Sequence, residues 1–344
     1  MLDNKKERSS SGGLQLKSGA KYRHKKKMLI NRVILLSPIV IILLIVLICL
    51  IPKNDNKEAD ETAKAAETAV VNIIGEGKNV IENDVKFNFT EKDFTAEDVS
   101  LLDLRQACEC NVDAEALITQ PLDWDMTADD FTVLILHTHV SESYTKAEGD
   151  SYIEHEAYRT ENEEYNMVAI GNTVENILKR QGINVIHETK SFEYPDTDYA
   201  YDNVKEYLND KLSENPDIKL VIDLHRDAAL NSEGNQWGPT VITNERETAM
   251  LSFVLGTFCE MESTAGDWQK NAEFTFKLEA QLEKMYPDIC RQTFISGYQY
   301  NQNLPAVFLL AEVGLAGNTL EEANNAAYCL SQGILELAKG ANLE

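Results

Sequence analysis

Three short stretches carry the residue types that could do chemistry. They are His137-Thr138-His139-Val140-Ser141-Glu142-Ser143, Asp223-Leu224-His225-Arg226-Asp227 and Ala311-Glu312-Val313-Gly314. His139-x-x-Glu142 lets one tight turn present an imidazole and a carboxylate to the same cation. His225 supplies a third donor, and a fourth position left open for water is how catalytic zinc sites are built. Water on such a cation has a lowered pKa, and a nearby glutamate can take its proton. Glu312 lies inside an apolar run, where an unpaired charge is costly, which favours a functional role.

The neighbours of these residues have competing readings. His137 is expected to be packed or supporting rather than a ligand. Asp223 can orient His225 through its other ring nitrogen, but it shares a strand face with His225 and so stays open as a ligand. Arg226 either pairs with Asp227 or serves catalysis, binding a substrate carboxylate or polarising the scissile carbonyl. His24, His155 and His187 stand among polar or basic residues and read as surface positions. Ser141 and Ser143 flank Glu142, but no G-x-S-x-G elbow is present. Cys108-Glu-Cys110 lacks the C-x-x-C spacing, and six cysteines in 344 residues are too few for a disulfide scaffold. Cys329 falls on the apolar side of the last helix and reads as core.

Each stretch follows or closes a segment that reads as a buried strand. Phe131–Leu136, Lys219–Leu224 and Ala306–Glu312 are continuous β-branched and apolar runs, and Ile183–Ile186 is a shorter one. Met167, Ile170, Val174, Ile177 and Leu178 recur at helical spacing before Gly182, and Thr319-x-x-Glu322 opens a last helix with a capping box. Alternating strands and helices predict one α/β domain over 126–344 with a largely parallel sheet flanked by helices. In such a sheet, ligands bind beyond the carboxyl ends of the strands.

Upstream of that domain the chain changes character. Val33–Ile51 is an uncharged apolar run of 19 residues, preceded in 1–32 by ten Lys or Arg against two acids. At 1.5 Å per residue it spans about 28 Å, the thickness of a bilayer core. The expectation is one uncleaved transmembrane helix, with the N-terminus cytoplasmic and everything beyond Pro52 outside. Residues 53–125 read as an acidic tether and lead-in. The formal charge of −25 argues against a nucleic-acid partner, because phosphates repel it.

HTHVSESY at 137–144, VIDLHRDA at 221–228 and YNQNLPAVFLLAEVGLAGNTLEEA at 300–323 resemble the stage II sporulation protein P family. The resemblance covers about 130–340, and the anchor before it also fits. It implies a twisted mixed sheet of the zinc-amidase type. It implies a membrane-anchored, zinc-dependent peptidoglycan hydrolase, an N-acetylmuramoyl-L-alanine amidase with endopeptidase activity. The family acts in forespore engulfment with stage II sporulation proteins D and M at the engulfing membrane. Carried over residue by residue, His139, Glu142 and His225 would hold Zn2+ and Glu312 would be the acid/base. Related amidases often take the carboxylate ligand from the following helix, where Glu161, Glu163 and Glu164 are alternatives. Arg226 and Asn318 are candidates for holding stem peptide or sugar. A carboxypeptidase-like zinc peptidase and a non-catalytic wall-binding anchor are the competing readings.

Overall fold

The computed structural model describes residues 92–193, 196–257, 259 and 267–339. The apolar run 33–51, the basic segment before it and most of the tether lie outside the described residues. Among the described residues no helix is long and apolar enough to cross a membrane. The chain divides into two units, Met1–Asp84 and Val85–Glu344, and every described element belongs to the second.

Nine strands are described: β1 (Leu104–Gln106), β2 (Thr132–Leu136), β3 (Asn184–His187), β4 (Ile218–Asp227), β5 (Thr240–Thr243), β6 (Arg246–Ala249), β7 (Leu251–Gly256), β8 (Cys290–Ser296) and β9 (Val307–Leu315). Seven form one sheet in the order β1-β8-β7-β9-β4-β2-β3. All of its pairings are parallel except β7 against β9. The sheet is therefore mixed but mostly parallel. β3, β2, β4 and β9 run together, so their carboxyl ends share one edge. β5 and β6 make a separate antiparallel hairpin. Its turn residues Asn244 and Glu245 both have positive φ, which suits a tight two-residue reversal.

Five α-helices are found among the described residues: α1 (Ala114–Thr119), α2 (Met167–Arg180), α3 (Ala200–Glu214), α4 (Trp268–Met285) and α5 (Leu320–Glu336). Strand alternation explains the layering. Val133, Ile135, Leu220, Ile222, Leu224, Leu309, Ala311 and Phe253 share a core with apolar residues of α2, α4 and α5. Leu134, Leu136, Val221 and Phe308 face the other way, against Val204, Leu208 and Leu212 of α3. On that second face β4 changes from Val221 to Asp223 and His225, and β9 from Phe308 to Glu312. The apolar layer gives way to polar groups towards the strand ends.

The lead-in is part of this unit. β1 extends the sheet, and Leu117 and Ile118 pack on Ala272, Phe276 and Ala280 of α4. The last helix begins as its sequence dictates: the Thr319 side chain accepts from the Glu322 N–H, and the Glu322 carboxylate accepts from the Thr319 N–H. Cys329 is in the core.

Candidate functional site

β2 ends at Leu136, and the chain then turns. Strand periodicity alone would place His137 and His139 on one face; the turn at 138–141 separates them. His137 continues the Val133 and Ile135 side and is fully buried. Its Nε2 lies 2.8 Å from His187 Nε2, whose Nδ1 is 3.1 Å from Glu175. Burial, with His187 alongside, pushes His137 down to about 3 and keeps it neutral. His187 is thus not a surface residue: its side chain is only 3% exposed. Polar neighbours in sequence misled here, because the partners come from β2 and α2. His155 is exposed, as expected.

The turn carries His139 and Glu142 to the edge where β4 and β9 present His225 and Glu312. His139 and His225 meet edge to face, with ring centroids 5.4 Å apart. His225 Nδ1 is 3.7 Å from Glu142 Oε2. His225 and Glu312 are register partners on adjacent strands. The four residues singled out from sequence therefore stand together. The donors are not contracted around a point, however. Among the described residues, the group of three His, Cys, Asp or Glu side chains with donor atoms all within 4.8 Å is Cys108, Cys110 and Cys259 instead.

Each imidazole is backed by a carboxylate. Asp223 Oδ1 lies 3.1 Å from His225 Nε2, and Glu193 Oε1 lies 3.6 Å from His139 Nδ1. These are close contacts without hydrogen-bond alignment, since both nitrogens stay buried and unpartnered. Asp223 is fixed by the Thr138 N–H at 2.9 Å and the Thr138 hydroxyl at 2.5 Å. Glu193 accepts from the Ser141 N–H, the Ser141 hydroxyl and Arg159. Ser141 thereby serves the carboxylate. Glu193 was not singled out from sequence because it lies in irregular chain after β3, with no motif around it. The alternatives Glu161, Glu163 and Glu164 are all exposed.

Electrostatics follow from these contacts. Burial works against charge on His225, yet Asp223, with Glu142 and Glu312, outweighs it and pushes the imidazole up to about 10. Burial would also raise Glu193, but the contacts from His139, Ser141 and Arg159 hold it at about 2. Burial drives Glu312 the other way, up to about 8; Glu142 and Asp227 add to this, and His225 and Arg226 oppose it. Glu312 Oε2 is buried with no hydrogen-bond partner. The negative potential that raises His225 is also what would attract a divalent cation. The donor set of two imidazoles and a carboxylate suits zinc, and carboxylate-backed histidines are the usual surroundings of such a metal.

Arg226 stands beside this cluster but faces the loop. Its Nε donates to the Ser143 carbonyl at 3.0 Å and its Nη2 to the Tyr158 carbonyl at 2.9 Å. Its backbone N–H donates to Glu142 Oε2 at 3.2 Å. Asp227 pairs with Arg291 instead, at 2.5 Å. Asn318 is fully buried and bonds the Leu315 N–H, the Pro239 carbonyl and Glu322, so it fixes the turn before α5 and is not free for substrate. Tyr144, the last residue of the first motif, donates to the Val313 carbonyl at 2.7 Å and ties the loop to β9. Tyr201 was also missed. Its ring stands 5.6 Å from that of His139 and 6.4 Å from that of His225, forming a wall of the site.

With this arrangement in view, the comparisons are decisive at the level of family. The sequence profile of stage II sporulation protein P matches residues 49–335. The chain belongs to the stage II sporulation protein P family. Stage II sporulation protein P of Bacillus subtilis (strain 168) is 27% identical over 215 residues, covering 58% of this chain and 49% of that protein. The chain thus spans about half the length of this family member. Among solved structures, the N-acetylmuramoyl-L-alanine amidase AmiC2 of Nostoc punctiforme is similar at TM-score 0.35 and 15% identity, covering 61% of this chain and 97% of that one. The N-acetylmuramyl-L-alanine amidase Ami1 of Mycobacterium smegmatis is similar at TM-score 0.38 and 12% identity, covering 60% and 96%. CwlD of Clostridioides difficile, in complex with the GerS lipoprotein, is similar at TM-score 0.37 and 11% identity, covering 60% and 97%.

Proposed function

We propose that this chain is a zinc-dependent peptidoglycan hydrolase that cleaves the amide between N-acetylmuramic acid and L-alanine, and also stem-peptide cross-links, during forespore engulfment. The observation that carries this reading is the pair of carboxylate-backed imidazoles, Asp223–His225 and Glu193–His139, beside the unpartnered carboxyl of Glu312. His139, Glu142 and His225 would hold the metal. When bound, zinc supplies a Lewis acid for the scissile carbonyl and an activated water. Family membership supports the sporulation setting. The run 33–51 would anchor the chain in the membrane with the hydrolase outside, where stage II sporulation proteins D and M would be partners.

The residues of the chain divide the remaining work. Glu312, register partner of His225 and with no hydrogen-bond partner on Oε2, would accept a proton from the attacking water and deliver one to the leaving amine. Asp223 and Glu193 orient the two imidazoles. Arg226 holds Glu142 and the 139–158 loop through its backbone and guanidinium N–H groups, which makes it a positioning residue. That engagement disfavours a carboxypeptidase, in which Arg226 would have to meet a free terminal carboxylate. Tyr201, whose ring stands beside both imidazoles, would meet the substrate, with recognition by shape and hydrogen bonding.

The test is digestion of purified sacculi by the full chain, with fragments identified by mass and zinc measured per chain. Stem peptides released with a free L-alanine amine are expected. His139→Ala and His225→Ala should abolish release and lose zinc, while His137→Ala keeps most of the metal. Release of single amino acids alone would sink the amidase reading.

A further inference from the structure

Two chain segments far apart in sequence meet at one end of β8. The Ala107 N–H, just after β1, donates to the Ile295 carbonyl at 2.8 Å, and the Thr257 N–H, just after β7, donates to the Ser296 carbonyl at 2.8 Å. This brings Cys108 and Cys110 from one side to Cys259 from the other. Cys110 and Cys259 form a disulfide across 149 residues, with their Cα atoms 6.1 Å apart. Cys108 is a free, half-buried thiol. All three sulfurs lie within 4.8 Å of one another, and Cys259 is exposed.

The surroundings hold this group in place. The Gln106 side-chain amide donates to the Cys108 carbonyl at 2.8 Å and the Cys110 carbonyl at 2.6 Å, closing the turn that carries both cysteines. The buried Thr257 hydroxyl stands among the sulfurs, 3.6 Å from Cys108, 2.9 Å from Cys110 and 3.3 Å from Cys259. The hydroxyl donates to the Ser296 carbonyl at 2.8 Å, and by turning from it can donate to whichever sulfur is the thiolate. Cys290 and Cys329 do not compete: burial holds both thiols protonated, Cys329 at about 11.

We propose that Cys108, Cys110 and Cys259 are a thiol–disulfide exchange site, in which Cys108 and Cys110 alternate as the partner of Cys259. The Cys108 thiolate attacks the Cys259 sulfur. The Cys108–Cys259 bond forms and the Cys110–Cys259 bond breaks. Cys110 leaves as a thiolate and takes up the proton that Cys108 gave up. The bridge keeps its oxidation level, so neither oxidant nor reductant is needed. In both states the lead-in stays covalently tied to the sheet, while a different thiol is presented for reaction. The site is remote from the candidate active site, because Ser252 at the opposite end of β7 is the register partner of Glu312.

The experiment uses the full chain purified without reductant, incubated at mildly alkaline pH and quenched with acid. Free thiols are then blocked with N-ethylmaleimide, and the chain is digested without reduction for mass spectrometry. The unmodified chain should yield both Cys110–Cys259 and Cys108–Cys259 linked peptides. Cys110→Ser should carry the Cys108–Cys259 bridge in most molecules, and Cys108→Ser only the Cys110–Cys259 bridge. A single linked peptide in the unmodified chain, with Cys108 always blocked, would overturn the proposal. So would a Cys110→Ser chain in which Cys108 and Cys259 both react with the maleimide. If the reduced chain binds cadmium through all three thiolates and forms neither bridge on air oxidation, the group is a metal site and exchange is excluded.

Discussion

His225 and Glu312 are directly opposed across β4 and β9, at the last regular pair before the register shifts towards Asp227 and Leu315. The strand pairing itself thus sets a basic side chain against an acidic one on the open face. His225 is also contacted by Asp223 and Glu142. Glu312 Oε2 has no hydrogen-bond partner. The proposed mechanism gives opposite roles to two carboxylates, Glu312 on β9 and Glu142 in the loop after β2. Glu312→Gln keeps the size and should retain zinc, while hydrolysis of peptidoglycan falls by the roughly 10²–10⁴-fold typical of losing a general acid–base group. Glu142→Gln should lose zinc first. Measuring metal content and fragment release side by side separates them; zinc lost from Glu312→Gln but kept by Glu142→Gln would exchange the two roles.

Arg226 tests positioning. It is buried and bonds two loop carbonyls and Glu142. Arg226→Ala removes the guanidinium contacts and leaves the Ser143 and Tyr158 carbonyls without that donor. Leaving a buried carbonyl without its donor costs about 1–3 kcal/mol. Arg226→Lys should recover part of the stability but not the two-carbonyl fork. The expected signature in both is weakened zinc affinity with the loss of melting temperature, since the loop that carries Glu142 loses its tie to Arg226. A variant with full zinc affinity and reduced activity would instead return Arg226 to substrate contact.

Gly171 tests the buried histidine pair. A Cβ at Gly171 would stand 2.4 Å from His187 Nε2 and 2.7 Å from His137 Nε2. Both rings are confined between β2 and α2, so the neighbours cannot yield freely. Gly171→Ala should destabilise by about 1–3 kcal/mol despite the gain in helix propensity. Adding His187→Ala should recover part of the loss in a denaturant titration. An alanine at Gly171 that raises stability would show that the pair moves easily.

The legible parts of this molecule were those with local pattern. The four strands around the site were continuous apolar runs, and α2 and α5 had clean stripes and caps. The candidate site was legible because His139, Glu142, His225 and Glu312 each sit at such a strand end. What escaped lacked local contrast. α4 is buried so widely that Asn271, Lys277, Glu279 and Gln281 interrupt its stripe while still being in the interior. β8 mixes Arg291, Gln292 and Thr293 with Phe294 and Ile295, and β1 is only three residues long. Glu193 and Tyr201 are brought in by chain that carries no motif. The Cys110–Cys259 bridge joins residues 149 apart, which no spacing rule reaches.

Glu279 gives the fold a pH dependence whose sign can be worked out. It lies on the buried side of α4 and accepts from the Thr293 hydroxyl at 2.6 Å and the Asp103 N–H at 2.8 Å. Burial nonetheless dominates and, with Asp103 and Glu283 nearby, pushes its carboxyl from 4.5 up to about 7. The folded chain therefore holds this proton more tightly than the unfolded chain. Its contribution to stability is complete below about pH 4.5 and is lost as pH rises through about 7. At 1.36 kcal/mol per unit, the loss amounts to roughly 3 kcal/mol. Glu279→Gln can serve the same two partners, with its amide NH2 towards Thr293 and its carbonyl towards Asp103, and carries no charge to bury. The variant should melt several degrees above the unmodified chain at pH 8. The difference should shrink towards zero below about pH 4.5, where Glu279 is protonated in the folded and the unfolded chain alike. Melting curves across this range decide it: a constant offset at all pH values would assign the effect to packing, and a variant less stable at pH 8 would mean that the carboxylate is favoured in place.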